Sequence, residues 1–219
     1  MGRELFPPMW KVVPEGRRGN VAVEHFEVSE SASRLTALRG GRGYVPPGKY
    51  AALRLGTDWQ RETLMSDTPY ERRTNTKVVQ HATGRVLIAG YGLGMILTAV
   101  LKKPDVQQVV VVEKDADVLA LVDPAIRTHV GARAEKKLIV LQDDIFIARQ
   151  RFGGRGQLGG RFDCIYFDIW GDVSTDALAE MTALTRTYRA LKRSKESFMD
   201  CWDREWLRYR REQERRAVW

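Results

Sequence analysis

The sequence predicts an α/β protein, a parallel sheet built around a glycine-rich strand–turn–helix unit and preceded by a small β unit. Three observations carry this. Val86 to Ala89 is a short apolar run, β-branched at two positions, as in a buried parallel strand. Gly90, Gly92 and Gly94 follow at once, and Met95, Ile96, Leu97, Val100 and Leu101 then give a helical apolar pattern that stops at Lys102-Lys103-Pro104. Further apolar runs, at Val109 to Val112, Leu138 to Leu141 and Phe162 to Phe167, each run into acidic residues.

The first 66 residues read as the small β unit. Val21, Val23 and His25 alternate with Ala22, Glu24 and Phe26, which is strand periodicity. Gly and Pro punctuate Arg39 to Gly48, which predicts a loop. Tyr50 to Leu55 and Thr63 to Met65 are short strand candidates. At Ser66 to Glu71 a helix begins: Thr68 is the expected N-cap, Pro69 fits N1, and Glu71 at N3 completes a capping box. This helix is expected to reach about His81, with Thr83-Gly84 ending it. The chain thus divides into residues 1–66 and 67–219. A junction of this kind is a natural place for a cleft. Asp67 is expected at its edge, with Tyr70, on the substrate side; the alternative is that Asp67 only supports the cap.

Beyond Glu113 the sequence predicts a helix over Ala116 to Val122, broken by Asp123-Pro124. Leu138 to Leu141 is a third strand, followed by Gln142-Asp143-Asp144. Gly153 to Gly160 reads as a flexible loop, since no helix follows it. The fourth strand, Phe162 to Phe167, ends at Asp168-Ile169-Trp170. Ser174 or Thr175 caps the next helix, which is expected to continue to about Leu191. From Ser197 to Trp202 there is room for one short strand. A basic helix then places Trp202, Trp206 and Tyr209 on one stripe and Arg204, Arg208, Arg211 and Arg215 on an adjacent one.

The chemistry centres on the glycine turn. Without Cβ atoms its backbone turns tightly and lets a ligand approach closely. Glu113 lies 23 residues after Gly90 and suits two ribose hydroxyls. In the dinucleotide fingerprint Gly-x-Gly-x-x-Gly the third glycine position would fall on Met95. The pattern therefore points away from NAD and towards S-adenosylmethionine, which has no pyrophosphate to cradle. Tyr91 and Lys114 flank these positions and join the expected binding set. Asp144 fits the adenine amino group best, beside Ile145 and Phe146, with Asp143 as the fallback. Asp168 falls at the methionine end, where it can orient or deprotonate a nucleophile or pair with the cofactor ammonium. Trp170 covers the site in this reading.

Composition sets the outer bounds. At 219 residues and 43% hydrophobic the chain can bury a real core. No apolar run reaches the roughly 18 residues of a membrane span, and the N-terminus lacks a secretory h-region. Cys164 and Cys201 form no CxxC motif, which suits a reduced, cytoplasmic setting. His25, His81 and His129 are scattered, so no metal site is expected. From Arg186 onward eleven Lys or Arg face six Asp or Glu, within a net charge of +8. A basic tail suits nucleic acid or an acidic partner; the alternative is a solvated helix.

Val86-Leu-Ile-Ala-Gly-Tyr-Gly-Leu-Gly94, Val109-Val-Val-Val-Glu113, Asp144-Ile-Phe146 and Phe162-Asp-Cys-Ile-Tyr-Phe-Asp168 resemble the motifs of class I S-adenosylmethionine-dependent methyltransferases. With Asp67-Thr-Pro-Tyr-Glu71 and the N-terminal β unit, they resemble especially the spermidine synthase-like branch, and phage and prophage proteins of that kind. The resemblance covers roughly residues 20–193. It implies a Rossmann-like sheet, with Gly90, Gly92 and Gly94 lining methionine and ribose, Glu113 on the ribose, Asp144 on the adenine and Asp168 as the active-site carboxylate. Only 51 residues follow Asp168, so the sheet is expected to be truncated at its C-terminal side, without the family's last hairpin. Of the acids that hold a polyamine in aminopropyl transferases, only Asp168 and Asp172 find a match. No Asp/Asn-Pro-Pro-Tyr/Phe follows strand four, which disfavours amino-methylating DNA enzymes. Neither cysteine follows a proline, which disfavours cytosine-C5 enzymes. The expected function is a methyltransferase of unidentified acceptor. Aminopropyl transfer, or a non-catalytic adaptor using the basic tail, stands as the alternative, and a homodimer is a further expectation.

Overall fold

The computed structural model describes residues 5–38, 43–56, 60–153, 158–171 and 174–217. Residues 39–42 of the first glycine-rich segment, 154–157 of the second, and Asp172 lie outside the described residues.

Two sheets organise the chain. The first is antiparallel, in the order β1 (Gly16–Arg18), β2 (Val21–Val28), β3 (Gly48–Leu55), β4 (Glu62–Ser66). Its strongest pairing joins β2 and β3, from Val21 opposite Leu55 to Val28 opposite Gly48. Between these strands lies α1 (Glu30–Leu38), a helix outside the elements read from the sequence. Its Leu35 and Leu38 are 66% and 84% exposed, so no buried stripe signals it.

The second sheet is parallel: β5 (Gly84–Ala89), β6 (Val106–Glu113), β7 (Leu138–Gln142), β8 (Cys164–Phe167) and β9 (Phe198–Cys201), in the order β7-β6-β5-β8-β9. The order reverses between β5 and β8. Such a reversal opens a crevice at the carboxyl ends of the strands. Alternate strand residues face opposite sides. Val86, Ile88, Val109, Val111 and Tyr166 join one buried cluster, and Leu87, Val110, Val112, Ile165 and Phe167 join another. The first cluster also contains Val21, Val23, Ala51 and Leu53, so the antiparallel sheet shares its core.

The expected helix over 69–81 is two, α2 (Pro69–Thr74) and α3 (Thr76–His81), meeting at Asn75. Its capping box does not form. The Thr68 hydroxyl meets that of Ser66 at 3.0 Å instead of the helix backbone, and the Glu71 carboxylate accepts from the Ser66 backbone. After β5 comes α4 (Met95–Leu101), all of whose residues are buried. Lys103 Nζ donates to the Val79 carbonyl at 2.8 Å and Lys137 Nζ to that of Lys103 at 2.8 Å, placing cations at the ends of α3 and α4.

The expected break at Asp123-Pro124 is also corrected, since α5 (Ala116–Val130) runs through it. A helix-interior proline costs about 3 kcal/mol. Burial of Val118, Val122 and Ile126 on one side opposes that cost. Asp123 adds two anchors, accepting from Tyr91 Oη at 2.8 Å and Arg127 Nε at 2.7 Å. The Asp115 carboxylate caps the start, accepting from the Asp117 backbone N–H at 2.8 Å.

A short helix, α6 (Ala132–Glu135), leads to β7, and α7 (Ala177–Tyr188) to β9. The side chain of Ser174 accepts the Asp176 N–H at 3.2 Å, one residue before α7 begins. The tail forms α8 (Arg204–Ala217). The expected aromatic stripe is corrected here: Trp202 is buried before α8 starts, Tyr209 is 59% exposed, and Leu207 is the fully buried anchor. No helix among the described residues is long and apolar enough to cross a membrane.

Candidate functional site

A cavity of about 390 Å³ opens at the carboxyl ends of β5, β6, β7 and β8. It is lined by Gly90, Tyr91, Gly92, Glu113, Lys114, Asp143, Asp144, Ile145, Asp168 and Trp170, all singled out in the sequence.

The turn after β5 is shaped by the protein itself. The Gly90 N–H donates to the Val112 carbonyl at 2.9 Å, continuing the β5–β6 ladder. The φ of Gly90 is +94°, and a Cβ there would lie 2.0 Å from the backbone oxygen of Asp168. The next backbone N–H, that of Tyr91, donates to Glu113 Oε2 at 2.8 Å. Gly92 has φ +51°, and a Cβ there would lie 2.1 Å from Met65 Sδ. That sulfur accepts the Leu93 N–H at 3.0 Å.

Glu113 accepts a second backbone bond from Asp115 N–H at 2.9 Å. Its carboxylate is thus fixed in direction, and each oxygen keeps a further lone pair for a ligand. The two acids after β7 differ. Asp143 is bound on both oxygens, by the Asp144 N–H at 2.9 Å and Arg151 Nε at 3.0 Å. Asp144 accepts the Phe146 N–H on Oδ1 at 2.9 Å. Ile145 is buried beside them, and Phe146 is 46% exposed on the same rim.

The Asp168 backbone N–H donates to the Ala89 carbonyl at 2.8 Å, which sets the residue at the β5–β8 junction. Its side chain keeps some surface open to the cavity but is crowded on its other sides, and no hydrogen-bond partner holds it among the described residues. Burial pushes its carboxyl up to about 7. Glu71 is pushed up to about 8, first by burial and then by the charges of Asp168 and Asp203. Glu71 thus lies near enough to Asp168 to feel its charge, although it does not line the cavity. Trp170 Nε1 donates to Glu180 Oε2 at 3.0 Å, which holds the indole at the cavity edge.

Three expected residues lie elsewhere. Asp67 is fully buried, and its carboxylate accepts Met9 N–H at 2.6 Å and Ala51 N–H at 2.7 Å while pairing with Arg72 at 3.1 Å. It is a structural anchor and not part of the cleft edge, because every direction around it is filled by protein donors. Tyr70 turns its hydroxyl to Asp203 and stands edge-on to Trp202, ring centroids 6.4 Å apart. Gly94 starts α4 behind the cavity, where its N–H donates to the Tyr91 carbonyl at 2.9 Å.

Other residues of the site carried no sequence signal. Leu53, Leu55, Leu64 and Met65 of the antiparallel sheet form one apolar wall of the cavity. In the sequence they are ordinary strand residues, and only the packing of two sheets brings them to the glycine turn. Among the described residues, no group of three or more His, Cys, Asp or Glu could hold a metal ion.

Five parallel strands in the order β7-β6-β5-β8-β9, with the cavity at the reversal, define the architecture. The fold is Rossmann-like. No protein-family model and no curated protein matches the chain. Solved structures do match in part. The methyltransferase domain of bacterial CtHen1-CN is 20% identical, over 43% of this chain and 48% of that one, with a TM-score of 0.35. The O-methyltransferase TomG from Streptomyces achromogenes, in complex with SAM, is 14% identical over 59% and 53%, with a TM-score of 0.43. Precorrin 8W decarboxylase from Methanobacterium thermoautotrophicum is 10% identical over 55% and 57%, with a TM-score of 0.40. The chain spans about half the length of these structures.

Proposed function

We propose that this chain binds S-adenosylmethionine in the cavity and transfers a methyl group to an acceptor nucleophile. The observation that carries the reading is Glu113, fixed at the end of β6 by the Tyr91 N–H of the glycine turn and facing the crevice. The acceptor set fits the cofactor. Carboxylates lie at Glu113, Asp143/Asp144 and Asp168, against apolar walls from Leu53, Leu64 and Ile96. That suits a ligand with a diol, an exocyclic amine, an apolar ring and a cationic centre.

Bound S-adenosylmethionine supplies an electrophilic methyl group on a sulfonium. Glu113 accepts from the ribose hydroxyls through its remaining lone pairs. Asp144 accepts from the adenine amino group, with Ile145 and Phe146 against the ring. Asp143 serves as the brace of this pair, since Arg151 already holds it. The turn from Gly90 to Gly92 brings backbone to the ligand, and Lys114 borders the ribose. Asp168 holds the acceptor in line and takes its proton, a task suited to a carboxyl titrating near neutral pH. Trp170, held by Glu180, limits water at that end.

The finer readings are part of the same proposal. The N-terminal β unit and the 67–71 segment support the spermidine synthase-like branch, and phage or prophage origin rests on sequence resemblance alone. We take residues 1–66 as a unit docked on residues 67–219, with the shared core cluster in support. Buried free thiols at Cys164 and Cys201 suit a reducing, cytoplasmic setting. A homodimer is open to light scattering. A second acid, Glu71, lies near enough to Asp168 to feel its charge, which favours aminopropyl transfer as a second reading, because a pair of acids suits a polyamine. Calorimetry against S-adenosylmethionine, its decarboxylated form and S-adenosylhomocysteine tests both. Preference for the decarboxylated form selects aminopropyl transfer, binding without labelled product from any acceptor selects the adaptor, and no binding at all rejects the cavity assignment.

A further inference from the structure

The acids of α8 are all engaged. Glu214 pairs with Arg210 at 3.0 Å, Glu212 with Arg216 at 2.6 Å, and Glu205 with Lys77 at 3.6 Å. Arg204 is held by Asp200 at 3.3 Å. Arg208, Arg211 and Arg215 make no ion pair among the described residues. All three are exposed. Their spacings of three and four align them in one stripe, with rises of about 4.5 and about 6 Å along the axis. Like charges at these spacings repel and weaken a helix, and an anionic partner relieves that repulsion.

The stripe, with Glu212 among it held by Arg216, is one rim of a groove whose other wall is Leu178, Ala179 and Thr182 of α7. The rim is built on an anchored helix: Leu207 is fully buried and Trp206 packs against the second core cluster. Thr175, just before α7, donates to Glu214 at 3.2 Å and ties the far end down.

We propose that this groove binds a single nucleic-acid strand through its phosphates. A row of guanidinium forks matches successive phosphates, each able to accept two parallel hydrogen bonds. The α7 wall offers small or already buried side chains and no large apolar anchor of the sort that dominates protein interfaces. Phosphate recognition needs only charge and reach. The chain's net charge of +8 favours the encounter. The binding itself does not depend on the cofactor reading.

The test is fluorescence anisotropy of the full chain with a labelled single-stranded oligonucleotide, across a salt series and without cofactor. Three phosphate contacts on a single strand contribute about −2 to the slope of log affinity against log salt. The variant R208Q/R211Q/R215Q is expected to lose that contribution and about tenfold or more in affinity. A charge-matched control on other surfaces, R34Q/R133Q/K136Q, is expected to keep the slope. Arg211→Gln alone is expected to remove about 0.7 of it, which reads the contact should the triple variant misfold. Absence of binding by the native chain overturns the proposal. Equal losses in the triple variant and the control overturn it as well, as does displacement of the oligonucleotide by polyglutamate at equal charge.

Discussion

The backbone N–H of Tyr91 donates to Oε2 of Glu113 across 22 residues of sequence, at 2.8 Å. The bond ties the turn after β5 to the end of β6. One carboxylate therefore shapes the loop and borders the cavity. Glu113→Ala is expected to lower stability by about 1.5–3 kcal/mol, since a charge-assisted bond and its partner at Asp115 are lost. Affinity for S-adenosylmethionine is expected to fall by about tenfold or more. Urea unfolding and calorimetry read the two effects separately. Full affinity in a destabilised variant would reduce Glu113 to a loop anchor.

Gly90 and Gly92 differ in what opposes a side chain. At Gly90 the obstacle is the Asp168 backbone oxygen, which cannot move without parting β5 from β8. At Gly92 it is the flexible Met65 thioether. Gly90→Ala is expected to cost more stability than Gly92→Ala. Pairing Gly92→Ala with Met65→Ala is expected to recover the steric part, leaving about 1–3 kcal/mol of backbone strain. A double-mutant cycle in urea measures this. Strict additivity of the two substitutions rejects the contact.

Asp67→Ala is expected to cost about 3–5 kcal/mol, because it leaves the Arg72 guanidinium and two backbone donors without their acceptor. Cofactor affinity measured well below the melting temperature is expected to stay near the native value. Thermal unfolding with calorimetry distinguishes this anchor from a substrate-side residue. The latter would lose affinity and keep its melting temperature.

Glu71 and Asp168 carry a pH signature. Their folded values, about 8 and about 7, lie above those of an unfolded chain, near 4. Between those limits the folded state holds protons that the unfolded state has released. The stability contribution of these acids is therefore full below about pH 4 and falls as pH rises through 7 to 8. Glu71→Gln is expected to raise the melting temperature at pH 8 relative to the native chain and to have little effect at pH 4. A gain of equal size at both pH values rejects the assignment. In turnover, a rise in rate through about pH 7 that Asp168→Asn abolishes is the kinetic counterpart.

The parallel sheet was legible because its strands are buried on both faces. Such strands read as continuous apolar runs, and Val86 to Ala89 and Val109 to Val112 could hardly be anything else. Glycines between a strand and a helix marked the turn, and an acid at fixed spacing marked Glu113. Local signals failed where distant contacts decide. Pro124 reads as a breaker, yet burial of Val122 and Ile126 and the bonds of Asp123 keep α5 whole. Glu71 reads as part of a cap, yet burial and the charges of Asp168 and Asp203 push its carboxyl up.

The sequence alone determined the strand order's centre, the glycine turn and the acids at the ends of β6, β7 and β8, because these follow from periodicity and spacing along one stretch of chain. Only the tertiary structure decided the second wall of the cavity and the role of Asp67. Met65 meets Gly92 across 27 residues through the docking of one sheet on another, and Asp67 meets Met9 across 58 where the segment at Met9 packs against β3. Contacts of that kind depend on the burial of both partners at once, and neither partner's neighbours in the chain record it.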